Sequence, residues 1–398
     1  MKNILIITII AAGITTSCFA QTKASTEVLN KTISKNFTDA DAQYKHLAQI
    51  LPAGTFPKTF QKDTLRTSNS GWWCSGFYPG SLLYIFEQTK DSVLYKEAMR
   101  MLELLQKEQY NTTTHDLGFM MYCSFGNALQ LNPGNEAYKK ILINSAKSLI
   151  TRFNPTTGCI KSWDSKPSDF LVIIDNMMNL ELLFWATRET GDSSFYKIAV
   201  THANTTMKNH FRPDYSSYHV VNYNPETGAV QQKRTAQGAA DSSAWARGQS
   251  WGLYGYTVMY RETKDKTYLE QANNIAQFLL NNPTLPADKI PYWDYDAPGI
   301  PDALRDASAA AIMASALLEL SGYADKTTAK KYMGVAQMIL VNLSSAHYKA
   351  GIGTNGGFIL EHSVGHLPQR SEVNVPLTYA DYYFLEAMKR YKDISSRK

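Results

Sequence analysis

The chain is poor in cysteine, with four in 398 residues. Cys18 falls in an apolar N-terminal stretch, which leaves Cys74, Cys123 and Cys159. Three cysteines build no disulfide framework; mostly buried thiols are expected, with one disulfide left open. Charge is also sparse, at 19% of residues, and the net charge of +5 is spread without a basic run. That distribution excludes nucleic acid as a partner. No HExxH, paired CxxC or calcium loop occurs. His362 and His366 stand four apart, but Gly365 and Pro368 oppose the helix that would bring them to one face, so no metal is expected. "GIGTNGGF" lacks the flanking strand and helix of a dinucleotide site, and there is no GxSxG elbow. No cofactor is expected. Beyond the N-terminus no segment is long and apolar enough to span a membrane.

What the chain does have is 44% hydrophobic residues, enough for a large core, and 12% aromatics. Its first residues, "MKNILIITIIAAGITTSCFAQ", carry Lys2, an apolar stretch and then small residues. This reads as a signal peptide over 1–20, with cleavage after Ala20 and export to the periplasm. Lipid attachment at Cys18 is the alternative, although Thr15 fits a lipobox poorly.

A recurring unit dominates the rest. An apolar, aromatic-rich segment leads through a polar turn into an amphipathic helix, as in "LLYIFEQTKDSVLYKEA", "LELLFWATRETGDSSFYKIA" and "YGYTVMYRETKDKTYLEQA". The turns lie at Asp91, Asn135, Asp192, Asp265 and Asp325. The first helix of each pair is apolar nearly all round and should be buried; the second has a polar face and should lie outside. Six inner helices are expected, beginning near Phe77, Gly118, Asp175, Gly248, Asp306 and Thr378. The last has no partner after it, and the helix near 25–50 has none before it. Pairing those two closes an all-α toroid of six hairpins, an (α/α)6 barrel over residues 21–398 as one domain. Parallel inner helices would bring their entry loops to one rim. Those loops are rich in Trp, Tyr, Asp, Arg and His, so a pocket belongs there.

Asp175 sits in "FLVIIDNMMNLELLFWAT", one acidic residue in an apolar stretch. It reads either as a helix N-cap or as an acid whose pKa is raised by desolvation. Asp116 carries the same two readings, with His115 beside it. Two carboxylates on one rim suit acid/base work on a glycoside. Arg247 can grip a carboxylate through two hydrogen bonds, and Trp251 offers a flat face to a sugar; a structural cluster is the alternative. His219 and Gln237 lie in a long insertion, a usual place for function.

With these residues in view, the chain resembles the unsaturated glucuronyl hydrolases of glycoside hydrolase family 88. The resemblance rests on "THDLGFMM", "IIDNMMNLELLFWA", "ARGQSWGLYGYTVMYRETKD", "PYWDYDAPGIPDALRDASAAAI" and "SEVNVPLTYADYYFLEA", in that order. It implies a six-hairpin α/α barrel. It also implies a substrate with a 4,5-unsaturated uronic acid at its non-reducing end, left by a polysaccharide lyase that acts as functional partner. Asp175 matches the acid that protonates C4, and Asp116 the second functional carboxylate. Trp73, His115, His219, Gln237, Arg247 and Trp251 match sugar-contacting positions. Members that accept sulfated disaccharides resemble one another in a Ser-x-x-Ser-x-Lys pattern, of which Ser363 to Pro368 keeps only the first Ser. Ser363, His366 and Arg370 are candidates for the downstream sugar. A pectin-directed unsaturated galacturonyl-rhamnose hydrolase, a conventional inverting glycosidase and a non-catalytic sugar-binding protein are the competing readings.

Overall fold

A computed structural model describes the backbone of residues 5–397 and the side chains of 26–397. The expected leader, 1–20, lies outside the residues whose side chains are described.

Among the described residues, twelve α-helices make the body: α1 Leu5–Ile50, α2 Phe77–Thr89, α3 Ser92–Leu105, α4 Asn127–Leu131, α5 Glu136–Ile150, α6 Leu180–Thr190, α7 Ser193–His210, α8 Ala246–Thr263, α9 Lys266–Asn281, α10 Ala307–Ser321, α11 Lys326–Leu343 and α12 Thr378–Ser395. Inner helices α2, α4, α6, α8, α10 and α12 alternate with outer α3, α5, α7, α9 and α11, and α1 packs beside α12 and α2 to close the ring. The six expected hairpins are present. Inner α10 is buried on all sides, as the apolar Ala307–Ser321 segment requires, while outer α9 buries Tyr268, Ala272, Ile275 and Leu279 and leaves its other face polar.

The polar turns are one device repeated. In Thr89-Lys90-Asp91, Thr190-Gly191-Asp192 and Thr263-Lys264-Asp265 the middle residue takes a left-handed conformation, φ 62°, 74° and 59°. The Thr hydroxyl donates back to the carbonyl four residues earlier and accepts the Asp amide N–H. The Asp carboxylate accepts an amide of the outer helix, Val93, Ser194 or Thr267. One tripeptide thus ends an inner helix and caps an outer one.

Two inner helices begin irregularly. Before α4 the chain runs as a π-helix over Gly118–Gly126, and before α6 as a 3₁₀ turn over Ile174–Asn179. A Cβ on Gly76 would stand 2.1 Å from the Met120 carbonyl oxygen, and one on Gly80 would stand 2.2 Å from that of Cys123. Only glycine lets α2 lie this close to the π-helix.

Aromatic rings fill the bore. Trp251 meets Phe119 at 5.1 Å and Tyr383 at 5.2 Å, and Phe77 meets Tyr382 at 5.2 Å. Beneath them, Glu181, Glu386, Arg261 and Arg390 line a polar cavity of about 180 Å³, and Glu319 pairs with both arginines. Cys74, Cys123 and Cys159 are free thiols.

The all-α expectation omits short strands at the opposite rim: hairpin β1 Phe56–Gln61 with β2 Thr64–Ser68, the pair β3 Phe153–Asn154 and β4 Cys159–Ile160, the sheet β5 Phe170–Ile173, β6 Val220–Tyr223 and β7 Val230–Arg234, and hairpin β8 Ser363–His366 with β9 Ser371–Val375. They arise from the entry loops, where continuous Val/Ile/Phe runs such as 170–173 and 220–221 favour strand. His362 precedes β8 and His366 ends it, so the two do not share a helix face, and His362 Nδ1 pairs with Asn374 Oδ1 at 2.8 Å.

The close glycine contact yields a prediction. Gly76→Ala should destabilise the fold by about 3 kcal/mol or more, because the clash is with backbone that cannot rotate away. Gly134→Ala, with nothing within 4 Å of the added Cβ, should leave the unfolding midpoint unchanged. Denaturant titration of the two variants checks this, and equal midpoints would contradict the packing described.

Candidate active site

The acid is delivered by a strand. β5 ends at Ile173, the chain tightens into the 3₁₀ turn, and Asp175 enters the rim between buried Ile174 and Met177. Its carboxyl caps no amide. Oδ2 has no hydrogen-bond partner among the described residues, and the residue is 8% exposed. Burial pushes its pKa up to about 7. The Arg247 charge opposes this, the Asp116 charge adds to it, and the Trp251 indole N–H opposes it. Desolvation therefore outweighs the cation, and the carboxyl can hold a proton near neutrality.

His219, one residue before β6, faces that carboxyl, with Nε2 3.7 Å from Asp175 Oδ2. Its Nδ1 accepts the amides of Ala236 and Gln237 at 3.1 and 3.2 Å. An acceptor nitrogen carries no hydrogen, so the ring proton sits on Nε2 and points at Asp175. Burial, helped by Arg247, His366 and Arg234, holds the ring pKa well below its usual value. His219 is thus a neutral donor of fixed tautomer, packed against Trp245 at 4.5 Å and Trp163 at 5.8 Å.

Asp116 and His115 form a second pair, Nε2 to Oδ1 at 3.4 Å, and Thr114 Oγ1 donates to the other Asp116 oxygen at 2.8 Å. Burial lowers the His115 pKa. Half-buried Trp73 packs on Tyr379 at 4.9 Å and Phe119 at 5.5 Å.

Arg247 is fully buried and largely committed. Nη1 donates to the Val364 carbonyl and lies 3.4 Å from Asp306 Oδ2; Nη2 donates to the Gly365 carbonyl at 2.7 Å. Gln237 Nε2 donates to that same Gly365 carbonyl at 2.8 Å. Both side chains therefore hold the β8–β9 hairpin. Ser363 Oγ is buried there without a partner, and His366 Nδ1 accepts the Gln369 amide. Arg370 is exposed at the hairpin tip with φ 51°.

The eleven residues singled out in sequence all map to this rim. His115 Nδ1, Asp175 Oδ2, His219 Nε2, Trp251 Nε1 and Ser363 Oγ are buried polar atoms without a partner. They are five of seventeen such side-chain atoms among the described residues, and each is a donor or acceptor that a bound ligand can satisfy. Sequence reading passed over Trp163, whose isolation in the polar run "KSWDSK" is the available signal, and Asp294 and Asp306, which lie in a recognised loop. Asp294 accepts the Ala239 amide and the Ser243 hydroxyl, ordering the strip that carries Gln237.

The sequence pattern of Glycosyl Hydrolase Family 88 matches residues 52–391. The chain belongs to this family. It is 45% identical over 382 residues to the unsaturated glucuronyl hydrolase of Formosa agariphila, covering 95% of this chain and 94% of that one. An unsaturated chondroitin disaccharide hydrolase of Streptococcus pneumoniae is 34% identical over 81% of this chain and 82% of its own. Among solved structures, an unsaturated glucuronyl hydrolase described as specific for heparin superposes with a TM-score of 0.89 at 49% identity, covering 92% of this chain and 98% of that one. The family makes the chain a glycosidase on a six-hairpin α/α barrel.

The raised Asp175 pKa couples to stability. Unfolded, the carboxyl ionises near 3.8; folded, it keeps its proton to about 7. Below 3.8 both states are protonated and the group is neutral in effect. As pH rises the unfolded chain loses its proton first, so stability declines through about pH 7 and then levels off. The difference amounts to roughly 4 kcal/mol. Asp175→Asn cannot ionise, so its stability advantage over the native protein should be absent near pH 4 and grow toward pH 7. Denaturant titrations across that range check it; a constant offset would contradict a buried, proton-retaining Asp175.

Proposed function

We propose that the chain removes a 4,5-unsaturated uronic acid from the non-reducing end of lyase-generated oligosaccharides by hydrating the ring alkene. The carrying observation is the buried Asp175 carboxyl, protonated near neutral pH and free of any protein hydrogen bond on Oδ2. A vinyl ether needs a proton on carbon, and a neutral acid in a desolvated site is the suitable donor. Asp175 gives its proton to C4, the alkene electrons form the new C–H bond, and positive charge develops at C5 and the ring oxygen. Water then bonds to C5 and returns a proton to the Asp175 carboxylate. The hemiketal opens and the neighbouring sugar leaves.

The rest of the site supports these steps. A neutral His219 with its proton on Nε2 can donate to the substrate or to the transient Asp175 carboxylate without itself titrating. Asp116 supplies negative charge beside a developing cation. Trp73 and Trp163 offer partly exposed ring faces for sugars, and Trp251 closes the floor. Glycosaminoglycan fragments are the substrate class the relatives' names favour, being described as acting on chondroitin disaccharides or as specific for heparin. We take residues 1–20 as an export leader, 21–398 as one catalytic domain, the periplasm as its place of action and a polysaccharide lyase as the upstream partner.

Asp175→Asn should lose at least about a thousandfold in turnover while the fold persists, since the reaction loses both its acid and its base. The readout is the fall in alkene absorbance with chondroitin, heparin and pectin lyase products side by side. Retained turnover would exclude Asp175 as the acid, and activity confined to pectin fragments would move the substrate class.

A further inference from the structure

The last rung of the three-stranded sheet runs Ile173–Val220–Arg234. Asp175 follows Ile173 by two residues, and His219 precedes Val220 by one. Residues on one rung share a face, so Arg234 lies on the side that holds Ile173, Val220, Leu171 and Trp163. Trp163 abuts the His219 ring on that side. Neighbouring strands are about 4.8 Å apart, which puts the Arg234 backbone two strand spacings from the strand that delivers the acid. That is the scale of a disaccharide. Its positive charge is felt at the buried His219 ring.

Arg234 also differs from Arg152, Arg212 and Arg247, three buried or half-buried arginines around this rim. Arg152 is held by Asp164 and the Thr112, Lys161 and Ser162 carbonyls. Arg212 is held by Ser216 and the carbonyls of Ser217, Asp241 and Ser243 and lies over the Tyr218 ring, as does Lys233 on the other face of the sheet. Arg247 is committed to Asp306 and the hairpin carbonyls. Among the described residues, Arg234 has one hydrogen bond, 3.3 Å to its neighbour's carbonyl at Thr235, and no carboxylate within salt-bridge distance. It is half-buried, so its guanidinium is partly desolvated yet reachable. A fork of free N–H donors in that setting suits a tetrahedral oxyanion.

We infer that Arg234 is a specificity-determining residue that receives a sulfate ester of the saccharide, from the sheet side of the mouth. This rests on the function proposed above. The opposite side, the β8–β9 hairpin, presents Gly365, His366 and Pro368, and its one arginine, Arg370, is exposed at the tip, so the partly desolvated Arg234 is the better counter-charge for a sulfate.

The test compares lyase disaccharides that differ only in sulfation, on the uronate 2-oxygen or on the amino sugar. For Arg234→Ala, kcat/KM on the matching sulfated disaccharide should fall about tenfold or more, the size of a lost charge-assisted bond, while the unsulfated one changes less than about twofold. Arg234→Lys should recover part of the loss. The position at which sulfate sensitivity disappears identifies the group bound. Equal losses on sulfated and unsulfated substrates would overturn the proposal and make Arg234 a support of His219; unchanged ratios would overturn it outright. Titrating the same disaccharides into Asp175→Asn, with and without Arg234→Ala, reads affinity without turnover. An Arg234-dependent preference there sustains the proposal even if the assigned reaction fails, and its absence refutes the proposal even if the reaction stands.

Discussion

A carboxyl buried without a committed partner is costly to ionise, and the geometry of the mouth follows from keeping Asp175 in that condition. A cation alone in the same pocket would undo it. An Arg at close range stabilises a carboxylate strongly in a poorly solvated site. Arg247 is near enough to pull the Asp175 pKa down, but its guanidinium is shared among the Val364 and Gly365 carbonyls and Asp306. Asp306 in turn is the N-cap of α10 and accepts the Ser308 amide and hydroxyl. The charge is balanced elsewhere, and the acid stays near 7. His219 follows the same logic. Two backbone amides occupy Nδ1, so the ring meets Asp175 as a neutral donor rather than as a second cation.

The irregular backbone at the mouth depends on a rigid body below it. His362, Arg370, Glu372 and Asn374 all take left-handed conformations, φ 51° to 61°. Each costs on the order of 1–2 kcal/mol for a residue with a Cβ. Arg247 and Gln237 hold β8 from one side, His362 ties to Asn374, and Lys58 pairs with Glu372 at 3.3 Å. At the far end, Arg261 and Arg390 join carboxylates from α6, α10 and α12, locking inner helices that are remote in sequence. The aromatic bore separates that ionic layer from the mouth, so the ionisable groups of the two ends act as different systems.

The toroid was legible because its connections are chemically repetitive. Thr-x-Asp marks where one helix must stop and another start, and the apolar segment before it has no polar face to show solvent. Asp175 was legible for the opposite reason: nothing in an apolar run explains a carboxylate. What could not be read was register. The rung that joins Ile173, Val220 and Arg234 draws on segments some fifty residues apart. The π-helix was equally hidden, since "GFMMYCSFG" is apolar in either helical period and only the contact with Gly76 and Gly80 distinguishes the two. Arg247 shows the limit of residue-type reasoning. An arginine suits a substrate carboxylate, yet two of this one's donors are spent on the hairpin's own backbone and its charge is shared with Asp306.

The long insertion between α7 and α8 now has a physical reason to exist. A six-hairpin barrel supplies inner helix starts at one rim, but helix starts alone diverge around the ring and cannot wall in a sugar. The 211–245 segment adds β6 and β7 to β5, and so welds the strand that delivers Asp175 to the residues that must face it. His219, Arg234, Gln237 and Trp245 all come from this one stretch. Its own anchor, Asp294, accepts the Ala239 amide and the Ser243 hydroxyl from the next hairpin's loop. The donor opposite the acid, the grip on the β8–β9 hairpin and the guanidinium at the sheet edge are therefore carried by one hydrogen-bonded unit. That coupling lets the protonation chemistry stay fixed while the outer edge of the same sheet is free to set which saccharide is held against it.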